Sequence, residues 1–450
     1  MKVRVLQYWR NLWSSFWFLP SAMAAGAVAL AFTAIAFDRA VLADRYGTVG
    51  WAYTGGAEGA SAVLQTIAGS MITIAGVVFS LTLVALSLAS SQFGPRVLRN
   101  FMRDTTNQFV LGTFVATFVY CLLVLRSIRR TDDIFVPHLS VTIGVGFALA
   151  SLAVLIFYIH HVSVSIQADR IVARIGDELL RAVDRLYPDN ASSDDAPPGD
   201  GPPAVLPGVF DREARVIGSP DDGYVLLVNI GALTKIGTEE EAVFRLERRV
   251  GQYVVSGQPL VRIWPGRRLT EDVGDKVRSA IVLGAQRAPG KDLEFTIIQL
   301  VEIAVRALSP GVNDPFTAIA AVDRLGSALS RLAQAGTPSA THFDDEGDLR
   351  LVVSPLTFPE VMDAAFNQIR EYGLSSSAVT ERLLETLATI AGFARRPEDR
   401  AAIRRHADMV ARGACDGLPA DEVCLAVQTQ RDAVIRILED PSALRSAPPA

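Results

Sequence analysis

The chain has 450 residues, half of them hydrophobic and 20% charged, with a formal net charge of −5. Length allows roughly two to four domains. The apolar excess is high for a soluble protein, and the negative balance argues against a general nucleic-acid binder. Apolar runs concentrate before residue 165 and charged residues after it, so a membrane domain followed by a soluble one is expected.

Four segments pass the length test for spanning a bilayer. The first, Phe16–Phe37, is rich in Ala and has Trp9, Trp13 and Trp17 near its start, which suit interfacial anchors. Its apolar core is long and no clean cleavage site follows, unlike a signal peptide. The second is a helix over Ser61–Ser91. At about 1.5 Å per residue it reaches roughly 46 Å, beyond a hydrocarbon core of about 30 Å, so it must tilt or project. The third span is Phe109–Leu125 and the fourth Leu139–Ile159.

The second span carries a hydroxyl stripe. Thr66, Ser70, Thr73, Ser80, Ser87 and Ser91, with Val77 and Val84 between them, recur by threes, fours and sevens, which puts all of them on one helix face. Gly69 and Gly76 lie beside the stripe, seven apart. Such a face suits close packing against other helices, with hydroxyls bonding back to their own backbone. It equally suits copies of the helix around a water-filled path, where hydroxyls replace part of an ion's hydration. No Asp, Glu, Lys or Arg lies between Ser61 and Ser91, which argues against a proton relay. Glu58 is the nearest acid and is placed to ring an entrance.

Gln92-Phe93-Gly94-Pro95 stops this helix. Val97, Leu98, Phe101 and Met102 then alternate with Arg96, Arg99 and Arg103, the pattern of a short amphipathic helix in the headgroup layer. The fourth span runs through His160-His161 into a charged amphipathic helix, Ile166–Leu186. Adjacent histidines point to different helix faces and do not chelate together, so interfacial placement is expected. Asp189 to Pro207 reads as a flexible linker.

Arginines and lysines favour the ends of the spans that share the N-terminal side: Lys2, Arg4 and Arg10, then Arg96, Arg99 and Arg103, then Arg170 and Arg174. Arg39, Arg45, Arg126, Arg129 and Arg130 lie on the other side. The balance places both termini in the cytoplasm of a bacterial inner membrane. Cys121 lies in a span, and Cys415 and Cys424 fall in a helical region. No disulfide framework or metal-site spacing is expected.

From Val209 to Pro265 the period becomes strand-like, with runs at Tyr224–Val228, Ala242–Leu246 and Leu260–Ile263. Gly251-Gln252-Tyr253-Val254-Val255-Ser256-Gly257-Gln258-Pro259-Leu260-Val261-Arg262-Ile263 resembles the hairpin of biotinyl/lipoyl-like barrel-sandwich domains. Gly251 and Gly257 would allow tight turns, with Val254, Leu260 and Ile263 inside. Trp264-Pro265-Gly266-Arg267 stands where a carrier domain has its modified lysine, so no swinging-arm cofactor is expected and the module reads as a docking or assembly unit.

Residues after Glu271 return to helical periodicity. Helices are predicted at Leu293–Leu308, Phe316–Ala335, Phe358–Tyr372, Ser376–Arg395, Pro397–Arg412 and Asp421–Leu438, with a hairpin around Asp344–Asp348 leading into Leu349–Val353. The last eight residues read as frayed. Between the first two helices, Ser309-Pro310-Gly311 terminates one and Asp314, followed by Pro315, is placed to cap the next. Ser309, Asn313 and Asp314 therefore form either a tight corner or a polar site at a helix N-terminus. No P-loop, nucleophile elbow, H-E-x-x-H or dinucleotide fingerprint occurs.

With these residues in view, the chain resembles the bacterial predicted-membrane-protein family catalogued as domain-of-unknown-function 2254. Four stretches carry the likeness: Ser90–Leu98, Gln108–Phe114, Phe118–Arg126 and Ala307–Ala318. The resemblance implies an integral membrane protein with a soluble C-terminal region and implies no reaction. Gly94 departs from the serine expected in many relatives, which relaxes the end of the striped helix.

The expected architecture is a four-helix transmembrane domain (1–165), a juxtamembrane helix and linker (166–208), a small barrel-sandwich-like β module (209–268) and a mainly helical module (269–440). The expected function is a homo-oligomeric membrane protein, channel-like along the stripe and controlled by its cytoplasmic region. The alternative is a non-conducting scaffold or sensor that docks a protein or ligand on that region. A pore needs the stripe to face a central axis, whereas a scaffold needs it packed dry against the same protomer. No enzyme activity, cofactor, metal or nucleic-acid partner is expected; the partners are the lipid bilayer, further copies of the chain and an unidentified ion or small ligand.

Overall fold

A computed structural model describes residues 17–41, 53–94, 105–129, 135–165, 167–187, 206, 208–287, 290, 292–335, 337–417 and 421–440. The chain divides into two units, Met1–Arg170 and Ile171–Ala450.

The first unit contains α1 (Phe18–Val41), α2 (Ala57–Phe93), α3 (Thr105–Ser127) and α4 (His138–Ser165). All four are long and apolar enough to cross a membrane. Helix α3 packs against each of the other three. Half of its most apolar window is buried, against 28% or less for the others, so it is the central helix. Close approach rests on glycines in α3 and α4. A Cβ at Gly112 would lie 2.6 Å from the Met23 sulfur and 3.2 Å from Pro20 Cα, and one at Gly144 would lie 3.0 Å from Leu64. Helix α2 has 37 residues, roughly 55 Å of rise. It ends at Gly94, whose φ of 92° is open to glycine and costly for the expected serine.

The second unit takes up α5 (Ala168–Leu186) and a short turn of helix, α6 (Phe210–Glu213). There follow β1 (Arg215–Gly218), β2 (Gly223–Val228), α7 (Ile230–Glu239), β3 (Val243–Leu246), β4 (Tyr253–Val254), β5 (Pro259–Trp264), α8 (Glu271–Ser279) and β6 (Ile281–Gly284). Then come α9 (Leu293–Ala307), α10 (Pro315–Gln334), β7 (Thr341–Phe343), β8 (Leu349–Val352), α11 (Phe358–Gly373), α12 (Ser377–Ala391), α13 (Pro397–Gly417) and α14 (Asp421–Glu439).

The strands form two open sheets, in the orders β1-β5-β3-β8-β7 and β4-β2-β6. This corrects the barrel-sandwich expectation. Gly251 and Gly257 do take positive φ, and Val254, Leu260 and Ile263 are buried. Yet β4 and β5 do not pair with each other; the Gly257 turn carries the chain from one sheet to the other, and neither sheet closes. The larger sheet also recruits β8 in parallel beside β3, with Phe244 opposite Leu351. Helix α7 and strand β6 are among the elements that escape the strand and helix patterns. Helix α7 starts where Asn229 accepts the Ala232 N–H at 3.1 Å. Strand β6 is a short apolar run, a pattern that does not separate strand from helix.

The later helices fall where the periodicity put them. A second correction concerns the cysteines. Helices α13 and α14 pack together and join Cys415 to Cys424 in a disulfide, their Cα atoms 4.9 Å apart. Two cysteines on packed helices meet where a count of three suggested no bridge. The expected headgroup-layer helix at Arg96–Arg103, Trp9 and Trp13, most of the Asp189–Pro207 linker, and the chain end lie outside the described residues.

Candidate functional site

Helix α2 carries two seven-residue repeats. Leu64, Ala68, Met71, Ala75, Val78, Thr82, Ala85 and Ala89 alternate by fours and threes and turn inward; all but Thr82 are buried and Thr82 is half-buried. Thr66, Ser70, Thr73, Val77, Ser80, Val84, Ser87 and Ser91 repeat the same spacing two residues later, and all eight are exposed. At about 100° per residue, a two-residue offset is about 200°, so the second seam lies opposite the first. Val77 and Val84 are 53% and 54% exposed. A Cβ at Gly69 or Gly76 would meet nothing within 4 Å. Gly112 and Gly144, by contrast, face neighbouring helices closely.

The inward seam has polar fasteners. Thr82 Oγ1 lies 2.7 Å from the Tyr158 hydroxyl, which also donates to the Val78 carbonyl at 3.2 Å. Helices α3 and α4 have a fastener of their own, where Thr117 and Ser151 meet at 3.1 Å. On the outward seam, Thr66 donates to Ala62 O at 2.8 Å, Thr73 to Gly69 O at 2.9 Å and Ser91 to Leu88 O at 2.9 Å. Their protons are engaged by the helix itself, so the oxygen lone pairs are what they offer a neighbour. Acceptors at these three positions suit water or a cation. Glu58, exposed in the first turn of α2, adds an acid at that end.

The sequence reading did not single out Asp38. Its carboxylate is 1% exposed at the end of α1 and receives the N–H groups of Leu139 and Ser140 at the start of α4. A lone acid after a long apolar run was the available signal. His161 stacks on Phe157 at 5.8 Å.

In the second unit, the Ser309–Asp314 corner is tied by its own backbone. Asn313 N–H donates to Ser309 O at 2.9 Å and Asp314 N–H to Ala307 O at 2.8 Å. Ser309 Oγ donates to Arg306 O. Asp314 caps α10, accepting the Thr317 N–H at 3.1 Å and its hydroxyl at 2.6 Å. Asn313 is exposed, with φ of 50°. Asp344, Glu346 and Asp348 bring carboxylate oxygens within 4.8 Å of one another in the β7–β8 turn. Arg350 answers that charge, reaching Asp344 at 2.6 Å and Asp348 at 3.0 Å.

Comparison with known proteins agrees with the membrane-helix geometry. The family model described as predicted membrane protein (DUF2254) matches residues 13–389. An uncharacterized protein of Mycobacterium bovis is 34% identical over 366 residues, covering 79% of this chain and 68% of its own. An uncharacterized protein of Mycobacterium tuberculosis strain H37Rv shows the same identity and coverage. No solved structure matches.

Proposed function

The chain belongs to the DUF2254 family of predicted membrane proteins, and from that premise we propose that it assembles as a homo-oligomer in the bacterial inner membrane, with α2 helices lining a cation-permeable path and both termini cytoplasmic. The observation that carries this reading is the outward seam. A strict seven-residue repeat on an exposed helix face is the pattern by which helices wind around one another, and hydroxyls and glycines are the residues that let membrane helices approach. Thr66, Ser70, Thr73 and Ser80 then present oxygens to water or ions, and Val77 forms the narrow apolar level. The reading is of a conductor and assigns no reaction to the chain.

A second reading keeps the protein non-conducting, a scaffold or sensor that docks a protein or ligand on its C-terminal unit; the back-bonded hydroxyls favour it, while the exposure of the seam, which such a scaffold would pack dry against its own protomer, does not. Flux separates the two. In liposomes holding the purified protein, Val77→Ser is expected to raise cation flux by easing an apolar barrier, and Ser80→Leu to lower it. If wild type and Val77→Ser both leave liposomes ion-tight across voltage and pH, the conducting reading fails and the scaffold stands.

A further inference from the structure

The C-terminal unit holds a cavity of about 420 Å³, within the roughly 300–1,000 Å³ range of small-molecule sites. It lies where the ends of β2 and β3, the start of α7, the start of α9, the chain after β8 and the last turn of α5 come together. Its wall is chiefly aliphatic. Leu227, Val228, Ile230, Val250, Val353 and Leu356 all line it, and all are half-buried. Four of them, Val228, Ile230, Val250 and Val353, also pack against the buried core that contains Val225 and Phe244. An aliphatic wall left uncovered between packed elements is unfavourable in water, and an apolar occupant removes that surface from solvent.

Two guanidinium groups stand in the same wall. Arg185 Nη1 donates to the Gly290 carbonyl at 2.7 Å, and Arg185 meets no carboxylate among the described residues. Arg249 Nη1 reaches both Glu360 oxygens, at 2.9 and 3.0 Å, so its Nε and Nη2 have no partner among the described residues. The acids of the wall are already answered. Asp292 accepts from Arg287 at 2.6 and 2.7 Å and caps α9 through the Phe295 N–H. Glu294 accepts from the same Arg287 at 2.9 Å. The Tyr187 hydroxyl donates to the Leu356 carbonyl at 2.8 Å. Arg185, an exposed side chain, is therefore the cation of the wall that meets no acid among the described residues, beside an aliphatic surface.

We propose that this cavity binds an amphiphilic monoanion, an aliphatic body bearing one carboxylate, with the carboxylate at Arg185 and the body against Leu227, Val353 and Leu356. A planar guanidinium with free donors matches a carboxylate. The proposal does not rest on the conducting reading, since nothing in it involves α2.

The test is equilibrium dialysis of radiolabelled octanoate against the full-length protein in lipid nanodiscs, with empty nanodiscs subtracted and 1-octanol as the uncharged comparison. Saturable octanoate binding is expected, at least about tenfold tighter than that of 1-octanol. Arg185→Gln should weaken octanoate about tenfold and leave 1-octanol unchanged. Val353→Trp, and Val228→Trp on a separate element, should abolish both by filling the space. Octanoate binding no greater than to empty nanodiscs overturns the site. Equal affinity for octanoate and 1-octanol in wild type overturns the role of charge without any variant. Wild-type affinity in a folded cavity-filled variant places the ligand elsewhere.

Discussion

Asp38 holds the first turn of the helix that contains Ser140: one carboxylate oxygen takes the Ser140 N–H at 3.0 Å and its hydroxyl at 2.6 Å. The other oxygen takes the Leu139 N–H at 3.1 Å. Asp38 and Ser140 are both buried, so no water stands ready to replace the carboxylate. Asp38→Ala should cost about 1–3 kcal/mol for donors left unpaired, and Asp38→Asn, which keeps one acceptor, should cost less. The melting midpoint of the solubilised protein checks this. An Asp38→Ala protein that melts like wild type would remove the cap from the account.

Glu360 links the cavity wall to acid stability. Burial alone raises its carboxyl, but the Thr357 N–H, the Arg249 guanidinium and the Thr357 hydroxyl outweigh burial and hold it below its usual 4.5. Because the folded value is depressed, the stabilisation is fully present above the unfolded value and is lost as pH falls through the lower folded value. Melting curves taken downward from pH 6 should therefore lose stability below about pH 4.5. Glu360→Gln should flatten that part of the profile while lowering stability at neutral pH. Parallel profiles for the two proteins would mean that Glu360 does not carry the effect.

The Cys415–Cys424 pair reports on orientation. Disulfides persist in oxidising compartments and are reduced in the cytoplasm. With the C-terminal unit in the cytoplasm, both thiols should be free in growing cells, alkylated by maleimide in acid-quenched samples without prior reduction. They should close to the disulfide only after lysis in air. Alkylation that requires a reductant would place this unit on the other side of the membrane.

The four spans were legible because length and hydropathy suffice to find a membrane helix. The helices from Leu293 onward were legible because each has one apolar face and a polar reverse. The Asp314 cap was legible because capping is local, decided within three residues. What was hidden depends on distance along the chain. Asp38 meets Ser140 about a hundred residues on, β3 meets β8 from another part of the chain, and the cavity draws its wall from several separate elements. No local pattern encodes such meetings. The stripe is an intermediate case. Its spacing is plain in the sequence, but Leu64, Ala68, Met71, Ala75 and Val78 have the same spacing, so the repeat alone does not say which seam turns inward.

In the proposed assembly the seam opposite the packing face of α2 meets another copy of the chain. Cysteines placed singly along Ala62–Ser91, in a chain with Cys121, Cys415 and Cys424 replaced by Ala, and oxidised in native membranes, test it most directly. Covalent dimers should peak at 66, 70, 73, 77, 80, 84, 87 and 91, with troughs at Ile72 and Phe79, which are also exposed. Cross-linking that is absent along this seam, or that peaks at Ile72 and Phe79 instead, would contradict the account.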